Sequence, residues 1–307
     1  MDSGKIPELG TGHLYRCINI YRYLIKKKID KKKILFITKT KGKYSNSEKI
    51  LKKFKINYKS IGQSVLDFSK QEQIFLNKFK SKVIIFDRLS KITNSFLFKI
   101  NDNYKKVVGI DILANKATKL DLLINPLNNK QPFKKKIKNF KNNILPSINE
   151  KKIYKNKKKN KKIFTFFGGY DYKNIKKIIL KLKINNSNFF FPENKKKFYE
   201  LMGQSDIVLC SGGLTVFDAI YFNKVIIAIP QYNHQLSNLK CLKKAGVCYL
   251  INNKKNFQTK LELCLRHISS LTEKQKKKIH DKQKKIIYYK SQIKLLKKIY
   301  EFEKSAF

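Results

Sequence analysis

No apolar stretch of this 307-residue chain runs uninterrupted for the roughly 18 to 20 residues that a bilayer span requires. The first thirty residues also lack the basic-then-apolar layout of a signal peptide. Both absences point to a soluble, cytosolic protein without a transmembrane segment. Cysteine is scarce: Cys17, Cys210, Cys241, Cys248 and Cys264 are odd in number, scattered, and form neither a CxxC pair nor a Cys/His ligand spacing. A disulfide framework and a zinc finger lose support, and neither a metal nor any other cofactor is expected. Arginine is nearly missing, with only Arg16, Arg22, Arg88 and Arg266 among 70 basic residues. Acidic residues number 21, so the formal net charge is +49, a value that ordinarily suggests nucleic acid or an anionic membrane. A binder selected for bases or phosphates would use more guanidinium, which is suited to bidentate recognition. Here lysine is accompanied by abundant Asn and Ile, the trio that AT-rich coding imposes on tolerant surface positions. We therefore expect no specific nucleic-acid partner, and only salt-sensitive, nonspecific attraction of RNA.

What the chain does contain is enough apolar residue, 42%, for two cores of ordinary size. Short β-branched runs alternate with helical spacing. Lys33–Thr38, Lys82–Asp87, Lys106–Asp111 and Asp121–Asn125 read as buried parallel strands. Leu14, Cys17, Ile18, Tyr21, Leu24 and Ile25 recur as one face of a helix, and a weaker helix lies near Asn46–Phe54. Lys151–Lys162 is a charged interruption that reads as a linker. Beyond it come strands at Ile163–Phe167, Phe189–Phe191, Ile207–Cys210, Val225–Ile229 and Cys248–Ile251, with helices near Tyr172–Leu182 and His234–Ala245. The class is α/β, with a first domain over 1–150, a second over 151–290 and a C-terminal helix over 291–307. The last fifty residues read as lysine-laced helices, for which Ile286, Ile287, Ile293, Leu296 and Ile299 supply a narrow apolar stripe.

Three glycine turns could carry chemistry. Gly10-Thr11-Gly12-His13 precedes the first helix, so His13 sits at a helix N-terminus, which disfavours a cation and suits a neutral imidazole base; a cap or packing role is the plain alternative. Ser211-Gly212-Gly213-Leu214-Thr215 lies between a strand and a helix, where free backbone N–H groups can hold a phosphate. Thr215 would add a hydroxyl, and Asp218 would accept from ribose or stand solvated on its helix. Gly168-Gly169-Tyr170-Asp171 is the third turn, and Asp171 reads first as a helix cap. Such turns at strand ends would gather on one ligand crevice of an open α/β sheet.

The blocks DSGKIPELGTGHLYRC, VIIFD, GIDILAN, DLLIN, IFTFFGGYDYKN, MGQSDIVLCSGGLTVFDAI and IPQYNHQLSN occur in an order that resembles the UDP-sugar hydrolases of the pseudaminic acid pathway and the related spore-coat polysaccharide proteins. The likeness covers roughly residues 2 to 250. It implies a GT-B architecture of two Rossmann-type domains facing across a cleft, shared with MurG-like glycosyltransferases. It also implies metal-independent, inverting hydrolysis of a UDP-linked N-acetylated deoxysugar in nonulosonic acid or surface polysaccharide biosynthesis. His13 matches the catalytic histidine of that family. Gly212, Gly213 and Thr215 match its nucleotide-phosphate loop, Asp218 stands where most members have glutamate, and Gln235 and Asn238 match a polar pair facing sugar or phosphate. Gly10, Gly12, Arg16, Asp87, Gly168, Gly169 and Asp171 complete the expected substrate site.

Departures accompany the resemblance. The first strand of domain one, central in the family, is expected to be missing, which would leave sheet edges unpaired. The stretch before MGQSD is short by about one βα unit of some 30 residues. Arg88 replaces a histidine after Asp87. A MurG-like transferase using a UDP-sugar donor and a noncatalytic polyanion-binding protein remain as alternatives, and the oligomeric state is open.

Overall fold

The computed structural model describes residues 11–100, 102–112, 120–124, 138–139, 162–168, 171, 173–181, 188–192, 195–252, 256–286 and 289–305. Most of the expected linker, with Gly10 and Gly169, lies outside them. In chain order the elements are α1 (Gly12–Lys26), β1 (Phe36–Thr38), α2 (Ser45–Lys53), β2 (Tyr58–Ser60), α3 (Lys70–Leu76), β3 (Ser81–Asp87), α4 (Asn94–Ile100), β4 (Tyr104–Ile110), β5 (Leu122–Ile124) and β6 (Lys138–Asn139). There follow β7 (Lys162–Phe166), α5 (Ile175–Lys181), β8 (Asn188–Phe190), α6 (Lys195–Gln204), β9 (Ile207–Cys210), α7 (Leu214–Tyr221), β10 (Val225–Ala228), α8 (Asn233–Lys244), β11 (Tyr249–Leu250), α9 (Phe257–Ser269), α10 (Glu273–Ile286) and α11 (Tyr289–Lys304). The chain divides into two compact units: Met1–Leu145 with Tyr289–Phe307, and Pro146–Tyr288.

In the first unit, β3-β4-β5-β6 form a parallel sheet in which Phe86 faces Gly109 and Val108 faces Leu122. Strands β1 and β2 pair separately, Phe36 with Tyr58. Among the described residues no strand pairs the outer edge of β1 or of β3. Helix α1 packs on both groups. Leu14 and Ile18 meet Phe36, Leu51 and Ile56, while Ile20 joins Val108, Ile110, Leu122 and Ile124. That second cluster is completed by Leu295, Leu296, Ile299 and Phe302 of α11. The expected stripe is corrected here by one position: Ile293 is 40% exposed, and Leu295 takes its place in the core.

The second unit holds a five-stranded parallel sheet, β11-β10-β9-β7-β8. Central β9 is buried along its length and pairs on both sides, Val208 with Phe164 and with Ile226. A strand covered on both faces needs an unbroken apolar run, and IVLC is one. Because β7, β9 and β10 are adjacent and parallel, the turns that follow them lie along one edge of this sheet. Strand β8 and helix α6 fill the interval before β9, so a βα unit is present in the stretch that reads as short. Buried Gln283 pins α10 by donating Nε2 to the carbonyls of Lys224 (2.8 Å) and Val247 (3.2 Å). No helix among the described residues is long and apolar enough to cross a membrane.

Although α11 follows the second unit in sequence, its apolar stripe completes the core of the first. Leu295→Ala should therefore destabilise the first unit by about 2–5 kcal/mol. Denaturant-dependent hydrogen exchange should show the loss in β4 and β5 and leave β9 and β10 unchanged.

Candidate functional site

Two parallel strands of the first unit, β3 and β4, end side by side at Asp87 and Ile110, and each delivers a carboxylate: Asp87 itself, and Asp111 one residue past β4. Helix α1 brings His13 and Arg16, one turn apart and so on one face, to the same place. His13 Nδ1 lies 2.6 Å from Asp87 Oδ1. Arg16 donates Nε to Asp87 Oδ2 at 2.7 Å, and Nη2 to Asp87 Oδ1 and to Asp111 Oδ2, the latter at 2.6 Å. Arg16 is 3% exposed and Asp87 fully buried.

Burial alone would raise the pKa of the Asp87 carboxyl. The adjacent Arg16 guanidinium, then His13, and the hydrogen bonds from both hold it well below the usual carboxylate range instead. Arg16 is the reciprocal case: burial works against its charge, and Asp111 and Asp87 more than offset that. Burial and the charge of Asp87 push the neighbouring Cys17 thiol well up, so it is no nucleophile. An ionised Asp87 has no hydrogen to give, so the 2.6 Å contact requires the imidazole proton on Nδ1. The lone pair is then on Nε2, as a general base needs. His13, Asp87 and Asp111 place three possible ligand atoms within 4.8 Å of one another. The cation at their centre is Arg16 Nη2, within hydrogen-bond distance of all three side chains.

Arg16 and Asp87, read as substrate contacts, are enclosed and hold His13. Arg88 points away from it, as the next residue along an extended chain does. Its guanidinium pairs with Glu72 Oε1 at 2.7 Å and Asp67 Oδ1 at 3.2 Å, and lies 4.6 Å from the centre of the Phe68 ring.

The second unit gathers the other expected residues at the edge formed by the ends of β7, β9 and β10. After β9, Gly213 caps α7 without a side-chain bond, leaving first-turn N–H groups for a ligand. A Cβ on Gly212 would come within 2.7 Å of Gln235 Cβ, so glycine is what lets α8 pack against this turn; a Cβ on Gly213 would meet open space. Gly168, after β7, has φ +93° and likewise faces open space. Thr215 is buried in the first turn of α7. Asp218 is only 2% exposed, so a ribose contact would require its carboxylate to be uncovered. Asp171 accepts at Oδ2 from the Lys176 N–H at 2.7 Å and thus caps α5. Gln235 accepts at Oε1 from the Gln231 N–H at 2.9 Å, and half-buried Asn238 follows it on α8.

Sequence reading missed Gln231 and Asp111. Gln231, 3% exposed, donates Nε2 to the Phe167 carbonyl at 2.8 Å and accepts from the Lys173 N–H at 3.3 Å, tying the turn after β7 to the turn after β10. Its position directly after Pro230 at a strand end was the available signal. Asp111 was visible only as the polar end of a strand.

Replacing Asp87 by Asn should cost about 3–5 kcal/mol, the scale for breaking a buried ion pair. Because the native pKa of Asp87 is depressed, its stabilisation is complete above the unfolded value near 3.9 and disappears as pH falls through the native value. Urea unfolding of both proteins should show a gap that is constant above about pH 5 and narrows below about pH 4.

Residues 118–293 match the glycosyltransferase family 28 C-terminal domain. An uncharacterized protein of Methanocaldococcus jannaschii, MJ1062, is 25% identical over 272 residues, 73% of this chain and 54% of that protein. The chain thus spans about half the length of that curated relative. Among solved structures, Acinetobacter baumannii MurG is similar over 95% of this chain and 97% of its own, with TM-score 0.63 and 12% identity. A glycosyltransferase from Rickettsia africae ESF-5 gives 97%, 95%, 0.57 and 14%, and Arabidopsis thaliana UGT89C1 gives 95%, 97%, 0.62 and 9%. At such identities the likeness is one of fold, an α/β architecture of the GT-B kind. With residues 118–293 matched, more than half its length, the chain belongs to the family defined by the glycosyltransferase family 28 C-terminal domain.

Proposed function

We propose that the protein hydrolyses a UDP-linked N-acetylated deoxysugar at the anomeric carbon, with inversion. The observation that carries this reading is the 2.6 Å contact between His13 Nδ1 and Asp87 Oδ1, which leaves Nε2 to take a proton from an attacking water. As the water oxygen bonds to C1, the bond from C1 to the diphosphate oxygen breaks and UDP departs with the electron pair. Backbone N–H groups at Gly213 to Thr215 and the positive end of α7 would stabilise the charge that collects on the diphosphate. The choice of sugar and of water as acceptor rests on the block order GTGH to SGGLTVFDA.

A glycosyltransferase is the second reading, favoured by the match to family 28. The proton-transfer problem is the same when a hydroxyl replaces water. Phosphorus NMR with a panel of UDP-linked N-acetylated sugars and no acceptor separates the two. Free UDP from the wild type and none from His13→Ala supports the hydrolase. UDP resonances that broaden without turnover favour the transferase, and no change with any sugar or with UDP would overturn both.

A second variant checks the nucleotide loop alone. Gly213 has φ −85° and open space at its Cβ position, so Gly213→Val should fold, with a loss of about 1 kcal/mol for the poorer N-cap, while its side chain obstructs the diphosphate. We expect UDP affinity to fall at least about tenfold, or ~1.4 kcal/mol, by calorimetric titration.

A further inference from the structure

Lys173, in the turn that leads from β7 into α5, sends its side chain to a different turn. Its ammonium donates to the Pro230 carbonyl at 2.9 Å, just past β10, while its backbone N–H donates to Gln231 Oε1 at 3.3 Å. In the sheet, β9 lies between β7 and β10. A side chain that joins the ends of those two strands therefore passes beside the turn that leaves β9, Ser211 to Gly213. A line of short contacts leads to the same turn. The Gln231 N–H donates to Gln235 Oε1 at 2.9 Å, and Gln235 sits so close to Gly212 that a Cβ there would come within 2.7 Å of its own.

The charge of Lys173 is not compensated where it stands. An ammonium has three hydrogens and accepts nothing; the Pro230 carbonyl takes one of them and is neutral. Arg16 and Arg88, both enclosed, are held by carboxylates instead. Asp171 is two residues from Lys173, but its Oδ2 caps α5 through the Lys176 N–H and its Oδ1 is buried without a hydrogen bond. Together with enclosed Asp218 it gives this edge two carboxylates. The N–H groups at the start of α7 offer only partial positive charge, so an anion arriving there would be opposed unless a cation stood by.

We propose that Lys173 is a ligand-binding residue: its two remaining N–H bonds take the diphosphate of the nucleotide and supply the full positive charge that the turn after β9 lacks. The inference rests on the reading of this edge as the nucleotide site. Lysine suits the task, as a point charge on a flexible stem that binds phosphate without fixing its orientation.

Three variants of the full chain test this. Lys173→Gln keeps an N–H for the Pro230 carbonyl and removes the charge, whereas Lys173→Arg keeps the charge. Lys177→Gln makes the same change of charge at an exposed position one turn along α5. Ligand-observed proton NMR gives dissociation constants for UDP and for uridine, at about 0.15 M salt, where attraction by distant lysines is screened. We expect UDP to bind Lys173→Gln about tenfold more weakly than wild type, the scale of a hydrogen bond to a charged group, with uridine unchanged. Lys173→Arg should retain most of the UDP affinity, and Lys177→Gln all of it. Equal weakening for UDP and uridine would mean that Lys173 only shapes the turn, and would overturn the proposal. So would an unchanged UDP affinity in Lys173→Gln, or an equal loss in Lys177→Gln. In each of those cases wild type still binds UDP and the nucleotide reading stands, whereas no UDP bound by wild type would overturn both.

Discussion

The buried Asp87 carboxylate is the constraint on which the first unit's site depends. A lone carboxylate without solvent is too costly to keep ionised, so a cation had to be placed beside it. Arg16 answers from one turn along α1, and its own charge then calls for Asp111. His13 shares the remaining contact. Four side chains from one helix and two strand ends are thus fixed by mutual charge compensation, and the result is an imidazole whose proton has one place to go.

The second unit reaches its geometry by different means. Its turns carry little charge. Gly212 gives way to Gln235 and Leu239 of α8, Gln231 ties two turns together through backbone partners, and Gly213 keeps an open face at the start of α7. Where the first unit presents a polarised side chain, this one presents peptide N–H groups. The function proposed above would use the first for proton abstraction and the second for charge on the leaving group.

Much of this was legible in the sequence, for reasons that can be stated. Buried parallel strands leave continuous apolar runs, and IVLC, VIIFD and KVVGID are such runs; the turn after IVLC has glycine where the backbone comes too close to Gln235 of α8 for a side chain. Strand β2 and helices α3, α4 and α6 escaped notice. Tyr58–Ser60 is largely exposed edge, and short helices such as Lys70–Leu76 offer too few turns for a periodic signal. The partnership of Arg16 and Asp87 was invisible for another reason: seventy-one positions separate them, and nothing local marks a pair that only sheet and helix packing brings together. Each had a polar side chain near a presumed pocket, so each was read as touching substrate. Their burial and their pairing are tertiary properties.

Helix α11 carries a consequence for how the chain is made. Val108, Ile110, Leu122 and Ile124 find their cover in residues 295–302, which leave the ribosome only after the whole of the second unit has done so. Domains ordinarily finish folding in the order of their synthesis. Here the order is reversed for completion: the second unit has all its parts first, while the sheet that bears Asp87 waits with one face covered only in part, by Ile20, Tyr23 and Leu24 of α1. The surroundings of His13 are therefore completed only after the second unit has all its parts.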